Sequence, residues 1–340
     1  MEDVLQRLQQ LRWRDLRWNL YIRFRAANPL PNPEREPAVT LSDHLHTKAT
    51  VYVVAHRSII IPRRGLTADP PQALIPASPK HRQTVMSPSA PDLHRLRNIP
   101  TPPLPPEDLR GGVGPGDFWG HGWDTAEQLA RFLDAGQCRR VLEVGSGLGR
   151  IAFPLSHLLG EEATYTGLDV APAYVAWCRE TFRDDRRFRF EHLDVFSSQY
   201  NPDARRKAHR ARFPVETGDF DLVLATSLFT HLVPREAKRY AREVARALRP
   251  GGMFFCTLLL EDSGSRPRIE AFDTYPVFRY RIRHARLVDT SSPADGVALD
   301  RAWFERQLER SGLELMSVDE GGWRGTDAYY QDVLVARKAA

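Results

Sequence analysis

Residues 141–160 read VLEVGSGLGRIAFPLSHLLG, an apolar run followed by three glycines within five positions and then a helix-like stretch. Such a junction between a buried strand and a helix is where parallel sheets bind ligands, outside the carboxyl ends of their strands. Glycine there removes the Cβ that would hold a ligand off the backbone, and it permits positive φ. The helix start adds free amides for an anionic group. The glycines alone are equally compatible with a tight turn that binds nothing. Spacing narrows the choice. A dinucleotide loop requires G-x-G-x-x-G, but after Gly145 and Gly147 the third position is Arg150, whose long side chain opposes close helix–strand approach. What stands is E-x-G-x-G-x-G, from Glu143 through Gly149.

Working outward, residues 106–340 alternate strand-like and helix-like segments. TAEQLARFLDAG reads as a helix, RRVLEVG as a strand, GRIAFPLSHLLG as a helix and ATYTGLDV as a strand. PAYVAWCRETFR (helix), RFRFEHLDV and DFDLVLATS (strands), PREAKRYAREVARALRPGG (helix) and GMFFCTLLL (strand) continue the series. Helix DRAWFERQLERSG and strand YQDVLVARK close it. Strands separated by helices imply right-handed crossovers and a mostly parallel sheet covered on both faces, an α/β Rossmann-like domain.

The pattern at 143–149 resembles motif I of the class I S-adenosylmethionine-dependent methyltransferases, and later segments follow that family's order. The resemblance covers roughly residues 107–340 and implies a seven-stranded sheet with an antiparallel last strand, YYQDVLVARK. It implies S-adenosylmethionine as cofactor, held by Glu143, Gly145, Ser146, Gly147 and Gly149. It places the ribose hydroxyls at Asp169 with Val170, the adenine at Asp194 with Val195, and the end of the fourth strand at Ala225, Thr226 and Ser227. Gly251 and Gly252 would turn the chain into the fifth strand. Asp169 also suits a helix N-cap before APAYVAW.

Methyl transfer from a sulfonium needs alignment and exclusion of water more than a catalytic side chain. His231, in SLFTHL, is the base candidate for a hydroxyl acceptor; packing or capping is its alternative. Arg150, read as lying in the first helical turn, opposes the helix dipole and calls for a carboxylate or ligand anion. Trp119, His121 and Trp123 precede the first helix as wall or packing residues. Residues 261–299 form an insertion far longer than an ordinary connection and read as a lid. Its Phe272, Tyr275, Phe278, Tyr280, Arg279, Arg281 and Arg283, with Trp323, Tyr329 and Tyr330, suggest an aromatic, cationic acceptor pocket. Of these, Trp119, Trp123, Tyr275, Tyr280 and Tyr329 are the substrate candidates, and packing on the core is the alternative.

Residues 1–105 differ in character. They hold most of the 26 prolines and a single glycine, Gly65. A cationic helix-like stretch near the start and a β-branched segment, TVYVVAHRSIII, precede a Pro-rich linker. Residues 1–100 carry fifteen Lys/Arg against eight Asp/Glu, and the rest 33 against 35, so the net +5 sits in the extension. A nucleic-acid partner is thereby disfavoured for the domain. Apolar runs fall short of a transmembrane span, and the first residues lack the order of a signal peptide. Three scattered cysteines fit a reducing cytoplasm. His44 and His46 in the Pro-rich zone are poor metal ligands, so no metal is expected. The reading is a methyltransferase acting on the oxygen or nitrogen of a small molecule. An RNA or protein methyltransferase using the basic extension, or a binding protein without turnover, are the alternatives. A nicotinamide oxidoreductase fails on the Arg150 spacing. Acceptor and oligomeric state stay open at this point.

Overall fold

The computed structural model describes residues 96–111, 117–271, 277–324 and 329–340. The helix, strand and linker expected before residue 96 lie outside the described residues, as do Phe272 and Tyr275.

Seven strands form the main sheet: β1 (Arg140–Val144), β2 (Thr164–Asp169), β3 (Phe188–His192), β4 (Phe220–Ala225), β5 (Leu248–Leu258), β10 (Leu313–Asp319) and β11 (Asp332–Lys338). Their order is β10-β11-β5-β4-β1-β2-β3. β11 runs antiparallel to both neighbours, and the β3-β2-β1-β4-β5 pairs are parallel. The chain goes β1 to β2 to β3 on one side and then returns to β4 on the other, so the direction of winding reverses between β1 and β4. That reversal opens a crevice at the carboxyl edge, where such sheets place their ligands.

Buried residues on the two faces of the sheet explain the near-continuous apolar strands. Val141, Leu222 and Phe255 face one core cluster, while Leu142, Val223 and Phe254 face the other. Helices α1 (Phe118–Ala130), α2 (Ala152–Leu158), α3 (Pro172–Thr181) and α4 (Pro234–Ala247) cover the sheet. Helix α1 starts seven residues earlier than the expected TAEQLARFLDAG, because Asp117 caps it by accepting from the Gly120 amide at 3.0 Å. Its Gly122 lies under the motif loop: a Cβ there would meet the Arg150 carbonyl at 2.1 Å. Helix α2 begins only at Ala152, so Arg150 sits in the turn before it rather than in the first helical turn. Residues 96–110 straddle the expected boundary at 105 and lie against α1, with Arg97 donating to Asp124 at 2.7 Å and to Glu127 at 2.8 Å.

The insertion at 261–299 is more ordered than a loose cover. β6 (Leu260–Glu261), β7 (Tyr280–Ile282), β8 (Ala285–Leu287) and β9 (Val297–Asp300) build a second sheet in the order β6-β9-β8-β7. A short helix, α5 (Arg266–Ala271), precedes β7, and α6 (Arg301–Glu309) leads back to β10. Ala285, Leu287, Val297 and Leu299 join the main apolar core.

The two sheets are joined at Asp332, the first residue of β11, which has no solvent exposure. Its carboxylate accepts from the amides of Leu260 (2.7 Å) and Gly321 (2.8 Å), the Trp323 indole (2.9 Å) and the Arg324 guanidinium (2.8 Å). Arg324 also reaches Asp262 at 2.9 Å. A buried carboxylate is tolerable only when fully paired, and removing one partner strands the others. Replacing Asp332→Ala is expected to cost about 3–5 kcal/mol of stability, read as a lowered urea midpoint; a loss inside experimental error would show that this joint carries no stability.

Candidate functional site at the carboxyl edge of the sheet

The loop after β1 is built onto the end of β2. The amides of Gly145 and Ser146 both donate to the Leu168 carbonyl, at 2.7 and 3.0 Å. The Gly147 amide donates to Asp169 Oδ2 at 2.7 Å, and the Ala171 amide to Asp169 Oδ1 at 2.8 Å. Gly145, Gly147 and Gly149 take φ of 78°, 54° and 79°. At Gly149 a Cβ would also stand 2.6 Å from the Phe182 ring of the segment after α3. Gly149 therefore serves the close packing that the dinucleotide loop assigns to the position one residue later.

Asp169 is nearly buried, at 8% exposure. Burial raises its carboxyl above the ordinary value, while the amides of Ala171, Gly147 and Val170 and the charge of His192 oppose that rise. An ionised carboxylate offers about four acceptor positions, so these amide bonds leave capacity on a group at the mouth of the crevice. The N-cap of α3 is Ala171, and Asp169 lies two residues before it. Asp169 thus orders the turn and does not cap the helix.

Glu143 lies beneath the loop at 1% exposure. The Tyr165 phenol donates to it, and the Thr226 side chain bonds it from the end of β4. Burial pushes its carboxyl up to about 8, with Asp169 adding to the rise and the bonds from Tyr165 and Thr226 opposing it. The neighbouring Ser146 hydroxyl is buried and has no hydrogen-bond partner among the described residues.

β4 delivers Ala225, fully buried, then Thr226 and Ser227. Ser227 adopts φ 54°, a conformation that costs a non-glycine residue about 1–3 kcal/mol and tends to mark functional turns. It is held there by its amide donating to Thr257 Oγ1 (2.8 Å), by its hydroxyl donating to Gln331 Oε1 (3.2 Å), and by its carbonyl accepting from Thr230 (2.5 Å). Leu228 follows and packs on Gly145, where a Cβ would stand 3.2 Å from its Cδ1. The loops after β1 and β4 thus touch at the crevice. Sequence reading named Ser227 for its place in the motif. The supporting Thr257–Gln331 pair was missed, since it joins residues 74 positions apart.

Beyond β3, Asp194 is exposed and accepts from Asn201 at 3.5 Å, while Val195 is buried and Val170 packs on the core. His231 sits in a single 3-10 turn, Phe229–His231, with Nδ1 at 2.6 Å from the Ala294 carbonyl of the insertion. A carbonyl only accepts, so Nδ1 carries the proton and Nε2 keeps its lone pair. Burial lowers the affinity of the ring for a second proton, against the opposing carbonyl of Ala294 and charge of Asp295. Gln199 binds Asp295, and Tyr200 lies edge-on to His231, so the insertion is pinned to this end of the sheet.

Among the described residues the aromatic candidates are not gathered around one cavity. Trp119 and Trp123 are buried on α1 against Phe153, with ring centroids at 5.0 and 6.0 Å, and Trp119 donates to the Pro102 carbonyl. Their apolar surface is spent on helix–helix packing. Phe278 and Trp323 pack on each other under the small sheet. Tyr280 is exposed on β7, and Tyr330 is exposed before β11. Tyr329 bonds Thr125 of α1 at 3.2 Å. Arg150 places its guanidinium 4.8 Å from the Phe118 ring centre. Among the described residues no cluster of His, Cys, Asp or Glu is arranged to hold a metal, and no helix is long and apolar enough to cross a membrane.

The environment of Glu143 sets a pH signature. A folded carboxyl held at about 8 against an ordinary 4.5 favours folding fully below 4.5, and folding is progressively penalised as pH rises through that window. Glu143→Gln removes the penalty, so the unfolding free energy of the variant relative to the parent should climb between these limits and level above them. Urea titrations at stepped pH measure it; a difference that stays flat with pH would show that Glu143 ionises freely.

Against this geometry the known proteins can be set. A family model described as a methyltransferase domain matches residues 142–254. A fatty-acid O-methyltransferase of Mycolicibacterium smegmatis is 36% identical over 132 residues, which is 39% of each chain. A phthiotriol/phenolphthiotriol dimycocerosates methyltransferase of Mycobacterium tuberculosis is 33% identical over 116 residues, 34% of this chain and 36% of that protein. The chain thus spans under two fifths of the length of these curated relatives. Among solved structures, an S-adenosylmethionine-dependent methyltransferase from Mesorhizobium loti covers 64% of this chain and 97% of its own, at 18% identity and a TM-score of 0.45. The strand order and the loop after β1 agree with the family match: over residues 142–254 the chain carries a methyltransferase domain, built on a Rossmann-like sheet.

Proposed function

We propose that this chain moves a methyl group from S-adenosylmethionine to an oxygen or nitrogen of a small molecule by in-line displacement. The observation that carries the reading is the meeting of the Gly145–Gly149 loop, Asp169 and the Ser227 turn where the sheet reverses its winding. The names of the curated relatives, a fatty-acid and a phthiotriol methyltransferase, favour a lipid-like acceptor and methylation at oxygen. The working division is an extension, 1–105, and a methyltransferase domain, 106–340.

The residues present fit the cofactor. Asp169 has acceptor positions to spare for a pair of ribose hydroxyls, the backbone at Gly145 and Gly147 admits the amino-acid end, and the Ser146 hydroxyl is an unanswered polar group beside it. Glu143 sets the floor of the loop, and Ala225 with Thr226 closes the β4 side. Asp194 would accept from the adenine's amino group, and Val170 and Val195 would supply apolar contact for the base. When bound, S-adenosylmethionine supplies a methyl already activated on a sulfonium. The chain then has only to hold the acceptor in line and keep water away, which is worth several kcal/mol of barrier. His231, its Nδ1–H bound by Ala294, is oriented to receive a proton at Nε2 when the acceptor is a hydroxyl. A carboxylate acceptor needs no such base.

Two expected outcomes test this. Calorimetry of the purified chain should show S-adenosylmethionine binding, and Asp169→Ala should weaken it by about 10- to 150-fold, the worth of hydrogen bonds to a charged group. No heat with the parent chain would overturn the reading, and binding without turnover over a panel of fatty acids, hydroxylated lipids and RNA would leave a binding protein. On a hydroxyl acceptor, His231→Ala should lower kcat by about a hundredfold or more; near-normal turnover would remove the base.

A further inference from the structure

The segment that follows β3 and helix α4 share an unusual surface. Residues 203–212, DARRKAHRAR, carry five Lys/Arg against one carboxylate, Asp203. The buried positions in this run, Ala208 and Ala211, point its cations outward. The run is fastened to α4: Arg239 donates to the Ala211 carbonyl at 2.5 Å, Arg246 to the Phe213 carbonyl at 2.9 Å, and the Phe213 amide to Glu243 at 3.0 Å. The carboxylate of Glu243 is thereby spent inside, on Arg239 and Arg246. Arg235 and Arg242, two turns apart on the helix, extend the same stripe. Arg205, Arg206, Lys207, Arg210, Arg235 and Arg242 are all exposed, and none forms an ion pair among the described residues. His209, between them, is held below the ordinary histidine range, first by partial desolvation and then by Arg235, Arg210 and Lys207. The cations of loop and helix therefore feel one another.

This stripe borders the crevice. Phe196, next to Val195, pairs with Lys207 through the Arg206 carbonyl, and the Lys207 ammonium lies 3.7 Å from the Phe196 ring centre. Arg235 stands four residues beyond His231, at the start of α4. Six like charges on one surface, answered only in part by the Glu236 carboxylate near Arg235 and Lys207, are a cost to folding, and an anionic surface would offset it. Guanidinium groups match phosphate oxygens in pairs. A single-stranded nucleic acid would ask for exposed aromatic platforms as well. The exposed large apolar side chains among the described residues, Leu104, Tyr280, Leu315, Met316 and Tyr330, all lie outside this run and helix.

We infer that the Arg205–Arg210 loop and the Arg235–Arg242 stripe of α4 form a docking face for the anionic phospholipid surface of a membrane, setting the crevice beside the layer that supplies an apolar acceptor. The inference rests on the reading of the carboxyl edge as the entrance for a lipid-like acceptor. Adsorption here is electrostatic, adding to whatever residues 1–95 contribute, and it fades at high salt.

The test is co-sedimentation of the full chain with vesicles of phosphatidylcholine alone or doped with phosphatidylglycerol, at low and high salt. The triple variant Arg206→Glu, Arg210→Glu, Arg235→Glu is run beside the parent. The parent should pellet with the doped vesicles only and be released by salt. The variant should lose partitioning by about a hundredfold while its thermal midpoint and S-adenosylmethionine heat stay unchanged. Equal binding of parent and variant, no binding by the parent, or equal binding to undoped vesicles overturns the inference. Tighter binding of the parent to an RNA oligonucleotide than to doped vesicles at matched phosphate also overturns it, in favour of a nucleic acid. The cofactor heat of the parent reports separately on the methyltransferase reading, so the two can fail independently.

Discussion

The architecture of the crevice depends on one carboxylate that is buried and yet satisfied by backbone. Asp169 holds the Gly147 amide with one oxygen and the Ala171 amide with the other, so it ties the loop after β1 to the turn after β2. The Leu168 carbonyl takes the two amides just before, Gly145 and Ser146. Through these four bonds the floor of the crevice is held by backbone amides and one fixed carboxylate. Preorganisation of this kind lowers the cost of binding. It also explains the glycines physically: the backbone is left-handed at Gly145, Gly147 and Gly149, a Cβ at Gly149 would collide with the Phe182 ring, and one at Gly145 would crowd Leu228.

Much of this was legible from residue type and spacing. The E-x-G-x-G-x-G run, the acidic residues at 169 and 194 and the alternation of strands and helices follow from local pattern, and local pattern is what a parallel sheet with short crossovers expresses. The parts that were not legible are those where distant residues decide. Helix α1 starts earlier than the segment TAEQLARFLDAG, within FWGHGWDT, whose two glycines disfavour helix. One of them, Gly122, is there to let the Arg150 carbonyl pass. Trp119 and Trp123 read equally as wall or packing residues, and it takes the position of Phe153 on α2 to show their rings packed against it. The Thr257–Gln331 pair behind Ser227 and the four donors on Asp332 leave no mark in sequence at all, since each joins segments that meet only after the sheet has formed.

The insertion illustrates a second way in which sequence length misleads. A run of about forty residues with prolines and charges reads as a cover, but its β-branched and small apolar positions pair into strands whose inner faces extend the main core. Its loop at Pro293–Asp295 then meets His231 and Gln199 at the sheet edge. The small sheet is thus a rigid bracket, and the polar contacts at its tip orient a histidine ring. A buried imidazole with one nitrogen answered by a carbonyl has its tautomer fixed by that contact, whatever its role in chemistry.

The place of β11 has a consequence for how the chain is made. β11 follows β5 and β10 in the chain yet inserts between them, and its first residue fastens the two sheets together. Until residue 338 emerges, β5 presents an open flank of unpaired amides and carbonyls that carries Phe254, Phe255 and Cys256. Open strand flanks recruit other chains. Closure of this sheet must therefore wait until β11 has been made, and the flank of β5 is exposed to other chains until then.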